Sequence, residues 1–247
     1  MEIRRFGTGG RIRQCESVLK GELCHIDGRL ILLPIPTTRD NVFINSTETT
    51  LDSVTKLIDE NTVIAGYGIP REIADQAAEK GISVFDASCD ERFLLENARL
   101  TANGALGYIL THFTKDIADM KIGIVGYGRI GRELTRLCLL FGAKIRMFTA
   151  RESVAMDLGA IGIDTTIIGE NTNLSDLDVL INTTPKRQFD EVSLAPLPLV
   201  IDLASGSIFD PSEKLIKLSS IPDAFYPESA GRLYAESVLR FLLGDKK

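Results

Sequence analysis

The stretch Lys121–Arg151, KIGIVGYGRIGRELTRLCLLFGAKIRMFTAR, constrains the fold more than any other part of the chain. The apolar run Ile122-Gly123-Ile124-Val125 predicts a buried parallel strand. The turn Gly126-Tyr127-Gly128-Arg129-Ile130-Gly131 follows, and then a helix with Ile130, Leu134, Leu137 and Phe141 on one face. Gly142 is placed to end that helix in the left-handed conformation, and Lys144–Phe148 predicts a second strand. Each turn glycine has a distinct physical role: Gly126 permits the tight turn, Gly128 lets backbone approach a pyrophosphate, and Gly131 lets helix pack closely on strand. A helix N-terminus adds free N–H groups and partial positive charge. The spacing alone is generic, but in this strand–turn–helix–strand context it predicts a dinucleotide-binding βαβ unit.

The rest of the chain continues the α/β alternation. Leu30–Leu33, Thr62–Ala65 and Ser83–Asp86 predict strands, with helices over Thr50–Ile58 and from Pro70 to Lys80. This β-α-β-α-β order implies a small parallel sheet with right-handed crossovers. Asp90–Asn97 and Thr101–Ile117 predict two helices, the second leading into the Lys121 strand. Beyond Arg151, Ser153 is placed to cap a short helix. Strands are predicted at Asp164–Ile168, Asp178–Asn182 and Leu199–Leu203, then a helix at Ser212–Leu218, a last strand near Ile221–Phe225 and a terminal helix from Ser229. The fold class is therefore α/β: a Rossmann-type doubly wound parallel sheet with a second, smaller parallel α/β domain of flavodoxin-like type. The expected organisation is an N-terminal substrate-side domain over 1–100, a connecting helix over 101–119, a Rossmann domain over 120–227, and a C-terminal segment, 228–247, packing back toward the first domain. Residues 1–29, with Arg4, Arg5, Arg11 and Arg13 around Gly7, Gly9 and Gly10, read as a solvated or partner-facing segment; a phosphate or carboxylate contact is the functional alternative.

Ligands of open parallel sheets sit outside the C-terminal ends of the strands. The loops 126–131, 149–153, 183–187 and 204–207 should then meet the dinucleotide. The cofactor candidates are Gly126, Gly128, Arg129, Ile130, Gly131, Thr149, Arg151, Ser153, Thr183, Thr184, Pro185 and Ala204, with Ser205 on the substrate side. An NAD site usually has Asp or Glu about 20 residues past the glycine turn. Thr149 stands there, with Arg151 and Ser153 next, so NADP(H) is expected in preference to NAD(H), the alternative.

Composition removes other classes. A net charge of −6 argues against general nucleic-acid binding. No run of 18 apolar residues suggests a membrane span and no signal-peptide core opens the chain, so a cytoplasmic protein is expected. Cys15, Cys24, Cys89 and Cys138 are scattered without a CxxC pair, which reads as reduced thiols and predicts no metal site. With His25 and His112 the only histidines, the His–carboxylate pair of a 2-hydroxyacid dehydrogenase has no candidate late in the chain.

Several segments carry a family resemblance: LILLPIPTT at 30–38, ENARLTANG at 96–104, GIVGYGRIGRELTRLCLLFGAKI at 123–145, DVLINTTP at 178–185, VIDLAS at 200–205 and SAG at 229–231. In this order the chain resembles the dipicolinate synthase A family, a relative of the NAD-binding domains of D-2-hydroxyacid dehydrogenases and adenosylhomocysteinase. The resemblance implies an NAD(P)H-dependent reductase. The implied chemistry is hydride transfer involving a cyclic imine dicarboxylate of dihydrodipicolinate type, in spore formation, with a flavoprotein-like second subunit. Homo-oligomer formation is expected. The resemblance also implies substrate contacts from Pro36, Thr37, Thr38, Asn97 and Thr101; it assigns no catalytic residue. The chain departs from the family in a shorter first domain that lacks one β-α step near 15–29. Leu100 and Asn103 stand where the family has proline and glutamate, and Arg11 where it has aspartate. Two readings compete with the reductase. One is a non-catalytic, dinucleotide-binding subunit with a regulatory or assembly role; the other, third in order, is a D-2-hydroxyacid dehydrogenase-like enzyme.

Overall fold

The computed structural model describes residues 1–169, 172–189, 194–204 and 212–244. The chain divides into two compact units, one of residues 1–97 with 222–247 and one of residues 98–221.

The first unit is a four-stranded parallel sheet of β1 (Glu2–Arg5), β2 (Arg29–Leu32), β3 (Thr62–Gly66) and β4 (Ser83–Asp86), in that spatial order. Its strands alternate sides, as pleating requires. Leu30, Leu32, Ala65 and Phe85 bury one face against α1 (Gly10–Glu22) and the terminal helix α8 (Pro227–Leu243). Ile31, Leu33 and Ile64 bury the other against α2 (Leu51–Thr55) and α3 (Arg71–Glu79). Helices α1 and α8 lie very close: a Cβ on Gly231 would fall 2.6 Å from the Arg11 carbonyl oxygen.

Residues 1–29 are thus a full β-α step and not a solvated segment. Arg5 pairs with Glu16 at 2.6 Å, Arg4 lies over the Phe6 ring, and Arg11 is only 6% exposed. Sequence periodicity underrates this step because α1, GRIRQCESVLKGE, is polar except for Ile12, Cys15, Val18 and Leu19. The first connection also differs in hand from the next two. All three connections step the same way across the sheet, yet α1 lies on one face and α2 and α3 on the other.

The second unit is a six-stranded parallel sheet of β5 (Lys121–Val125), β6 (Lys144–Thr149), β7 (Asp164–Ile167), β8 (Val179–Asn182), β9 (Val200–Asp202) and β10 (Leu215–Lys217). The spatial order is β10-β9-β8-β5-β6-β7, the doubly wound arrangement that reverses direction between its first and fourth strands. Helices α5 (Arg129–Leu140) and α6 (Glu152–Ala160) follow β5 and β6. One core packs Ile122 and Ile124 of β5 with Leu134 and Cys138 of α5; another packs Val125 with Phe148, Leu180 and Phe189.

Four local expectations are corrected. The two helices expected over 90–117 are one, α4 (Glu91–His112), because Ala98, Arg99 and Leu100 between them are all good helix formers. The helix expected at Ser212–Leu218 is strand β10, pairing in parallel with β9. The strand expected near Ile221–Phe225 is the short helix α7 (Ile221–Phe225), since sheet pairing had already been taken by β10. Helix α6 is capped at Arg151, not by Ser153, and no side chain makes the capping hydrogen bond. Among the described residues no helix is long and apolar enough to cross a membrane, and no group of three His, Cys, Asp or Glu side chains is placed to hold a metal ion.

Candidate functional site

The site in the second unit grows from the reversal point between β5 and β8. Val125 ends β5, and Gly126 turns the chain at φ +91° while its N–H donates to the Phe148 carbonyl at 2.9 Å. Gly128 then caps α5 with extended backbone, and a Cβ there would meet nothing within 4 Å. Gly131, one turn into the helix, sits so near the loop that its Cβ would fall 2.0 Å from the Gly126 oxygen. The turn is therefore pressed onto the helix start, with free space in front of Gly128. That is the cradle a pyrophosphate needs: open backbone at a helix N-terminus.

The facing wall comes from β8. The Thr183 hydroxyl donates to the Val125 carbonyl at 2.8 Å, and its N–H to the same oxygen at 3.0 Å. Behind it lies a buried polar junction. The Asn182 amide donates to Asp202 Oδ1 at 2.7 Å and to the Thr184 carbonyl at 2.9 Å, and it accepts from the Thr184 N–H at 3.2 Å. Asp202 Oδ1 also accepts the Ala204 N–H at 3.1 Å. Two strand-end loops are thereby tied to one another through one amide and one carboxylate, both 1% exposed.

Between these walls is an open pocket of about 310 Å³. It gathers Gly126, Gly128, Thr149, Arg151, Thr183, Thr184 and Pro185 of the expected residues. Arg129, Ile130 and Gly131 form the first turn of α5 directly behind the glycine loop. Ser153 and Ala204 do not line the pocket: Ser153 lies within α6, and the Ala204 amide is spent on Asp202. Ser205 lies outside the described residues. Sequence reasoning missed Phe148, Ile168 and Gln188 in the lining and Asn182 and Asp202 behind it. The aromatic and apolar members were hidden by strand periodicity, which marks them only as core. Asn182 and Asp202 carried a usable signal, since each is a polar residue ending an apolar strand.

The pocket is suited to a nicotinamide dinucleotide in shape and charge. Its volume lies at the low end of the range for ligand pockets, roughly 300–1,000 Å³. Among the described residues no carboxylate lines it, whereas Arg151 and Lys186 do. The Thr149 hydroxyl accepts the Arg151 N–H at 3.1 Å, which turns the backbone so that Arg151 Nη2 lies 3.5 Å from the Tyr127 carbonyl oxygen, at the pocket edge.

In the first unit, the expected substrate residues follow β2. Thr37 is fully buried, and its hydroxyl accepts the Tyr67 N–H at 3.0 Å. Its role is to position the two strand-end loops, not to touch a ligand, because no part of it reaches the surface. The Thr38 hydroxyl accepts the Asn41 N–H at 3.0 Å and shapes the following turn. Pro36 follows a cis peptide bond. Asn97 and Thr101 are four residues apart on α4 and so share one side of it.

Comparison with known proteins agrees with this geometry. Residues 95–191 match the D-isomer specific 2-hydroxyacid dehydrogenase NAD-binding domain family. No curated protein matches by sequence. Among solved structures, the A component of dipicolinate synthase from Bacillus halodurans is similar with a TM-score of 0.78 at 19% identity, covering 98% of this chain and 97% of that one. Its counterpart from Bacillus subtilis gives 0.78 at 18% identity over 98% and 96%. D-lactate dehydrogenase from Escherichia coli gives 0.59 at 13% identity over 98% and 96%. The chain thus has the α/β fold of dipicolinate synthase A, and its residues 95–191 are similar to a nicotinamide-dinucleotide-binding domain.

Proposed function

We propose that the protein is an NADP(H)-dependent oxidoreductase of the dipicolinate synthase A type, transferring hydride between the nicotinamide and a cyclic imine dicarboxylate related to dihydrodipicolinate. The observation that carries this reading is the glycine cradle at the reversal of the six-stranded sheet, where Gly131 has no room for a Cβ and Gly128 faces open space. The similarity in fold over 98% of the chain supports the choice of substrate class.

When bound, the nicotinamide supplies or accepts the hydride. The chain's residues bind and orient. The first-turn amides of α5 take the pyrophosphate. Arg151 takes the ribose 2′-phosphate, where an acidic residue would repel it. Thr183 and Thr184 hold the wall opposite. Thr38, Asn97 and Thr101 are assigned to the substrate. No histidine lines the cofactor pocket: the His112 ring stacks on Tyr108 at 3.9 Å, with Nδ1 2.9 Å from the Tyr108 carbonyl oxygen. The proton that accompanies hydride on a ring nitrogen is therefore assigned to water or to a donor weaker than histidine. A flavoprotein-like second subunit, homo-oligomer formation, a cytoplasmic site and a role in sporulation belong to the same reading.

Absorbance at 340 nm tests it, with purified protein and the cyclic imine dicarboxylate in the presence of NADPH in one arm and NADP⁺ in the other. The reading expects turnover in one direction, faster with the 2′-phosphorylated cofactor. Tight NADPH binding without turnover in either arm would instead select the non-catalytic regulatory role.

A further inference from the structure

The cofactor reading leaves a second glycine-rich strand–turn–helix unused, in the first unit. Strand β1 ends in Phe6-Gly7-Thr8-Gly9-Gly10, and α1 begins at Gly10 with no acidic residue in its first turn and no side-chain cap from Gly9. A small cavity of about 30 Å³ opens there, lined by Thr8, Arg11, Ile35, Asn45, Ser46 and Asp223 among others. Arg11 is the unusual member. It is 6% exposed, and its Nε has no hydrogen-bond partner among the described residues. Burial pulls its pKa down to about 10, with attraction from Asp223 working against that; at neutral pH the guanidinium stays charged. Asp223 does not complete it. That carboxylate is spent on the helix backbone, where Oδ1 accepts the Arg11 N–H at 2.7 Å. Asp223 offsets the charge by attraction, but a buried N–H left without a hydrogen bond is costly, and Arg11 lines the cavity at the start of α1.

We propose that this cavity, with Arg11 at its wall and the α1 N-terminus at its end, binds one carboxylate group of a small organic acid. Its size selects the group. A water molecule needs roughly 10–15 Å³ on this measure, so the cavity takes two oxygen-sized atoms, as a carboxylate presents, and not the four of a phosphate. That the acid is the substrate of the hydride transfer rests on the reductase reading above; the anion site itself does not.

Titration calorimetry on the full chain tests the assignment, using pyridine-2,6-dicarboxylate as probe and inorganic phosphate at matched ionic strength as control. The dicarboxylate should bind the wild type, and Arg11→Met should weaken it at least tenfold while NADPH affinity is unchanged. Methionine fills the same space without the charge, so the variant should melt no lower than the wild type. Asp223→Asn should tighten carboxylate binding severalfold, since the amide oxygen still accepts the Arg11 N–H but the repulsion is gone; a purely structural pair would not do this. Unchanged dicarboxylate affinity in Arg11→Met overturns the proposal, as does Arg11-dependent phosphate binding as tight as that of the dicarboxylate. The two readings fail separately. Arg11-dependent carboxylate binding without turnover of the cyclic imine refutes the reductase and keeps the site. Turnover of the cyclic imine by a protein whose dicarboxylate affinity is unaltered in Arg11→Met refutes the site and keeps the reductase.

Discussion

Gly128→Ala and Gly131→Ala change the same turn by one methyl group each and should separate binding from stability. At Gly131 the added Cβ would stand 2.0 Å from the Gly126 carbonyl oxygen and 3.2 Å from the Thr183 hydroxyl. An ordinary contact needs about 3.5 Å, so the turn must move by more than an ångström, against the Gly126–Phe148 backbone bond. Overpacking of this kind costs typically ~1–3 kcal/mol, and more at a rigid backbone contact. Alanine returns about 1 kcal/mol in helix propensity. The net expectation is a loss of about 2 kcal/mol, or a fall of about 4–8 °C in Tm for a chain of this size. At Gly128 the same methyl enters open space at a helix N-cap, and stability should change by less than about 1 kcal/mol. It would, however, stand where the pyrophosphate approaches. A misfit of ~1–3 kcal/mol there lowers NADPH affinity about five- to a hundredfold. Thermal melts and fluorescence titration with NADPH on both variants read the two quantities. A Gly128→Ala protein that binds NADPH like the wild type would show that the dinucleotide does not lie against this turn. A Gly131→Ala protein of undiminished Tm would show that the turn yields freely.

Arg151→Ala should cost NADPH about tenfold to a hundredfold in affinity, the worth of a charge-assisted contact of roughly 1.5–3 kcal/mol, and leave NADH unchanged; equal losses for both cofactors would remove Arg151 from the 2′-phosphate. Burial alone would raise Asp90, but bonds from the Phe93 amide, Ser237 and Arg240 outweigh it and hold the carboxyl below its usual range. Its stabilisation is therefore complete above about pH 4 and lost as pH falls through the lower folded value, so Asp90→Asn should flatten the acid limb of stability against pH, and an unaltered limb would refute this. Cys15 and Cys138 are buried, the Cys138 thiol being pushed up to about 12 by burial, while Cys24 and Cys89 are exposed. A thiol reagent should accordingly titrate two groups in the native protein and four after denaturation, and rapid reaction of four native thiols would contradict the packing.

The parts of this fold legible in the sequence were those where one physical rule acts alone. Ile122–Val125 and Leu30–Leu33 are buried on both faces and read as continuous apolar runs. Gly126 needs a positive φ and Gly131 has no room for a Cβ, and Gly128 is read from its place between them. Legibility failed where tertiary pairing decided between local preferences. LIK at 215–217 is a strand because β9 offers it a parallel partner, and three residues carry no periodicity of their own. Thr37 looked like a ligand contact because it sits at a strand end, yet its hydroxyl closes a loop through the Tyr67 amide thirty residues away. Arg11 is the opposite case: arginines beside glycines are usually solvated, and only the packing of α7 and α8 over the start of α1 makes this one a buried cation.

The reversed hand of the first connection links that buried cation to the short N-terminal domain. Crossovers between parallel strands are right-handed in about 98% of cases, and α2 and α3, sharing one face, agree with each other. A chain can leave β1 over the opposite face and keep the same hand only by stepping outward to a strand beyond β1 and returning over the α2 side. Residues 15–29 hold no such outward strand and return. Without it, Leu23–Gly28 carries the chain from α1 straight into β2, and the single remaining helix crosses with the wrong hand. The exception is tolerable because α1 is held by more than its own connection: α8 packs along it, with Gly231 against the Arg11 carbonyl, and Asp223 binds its first turn. Arg11 thus lies at the point where the first unit is closed by its C-terminal segment, and the acidic partner of this turn comes from residue 223.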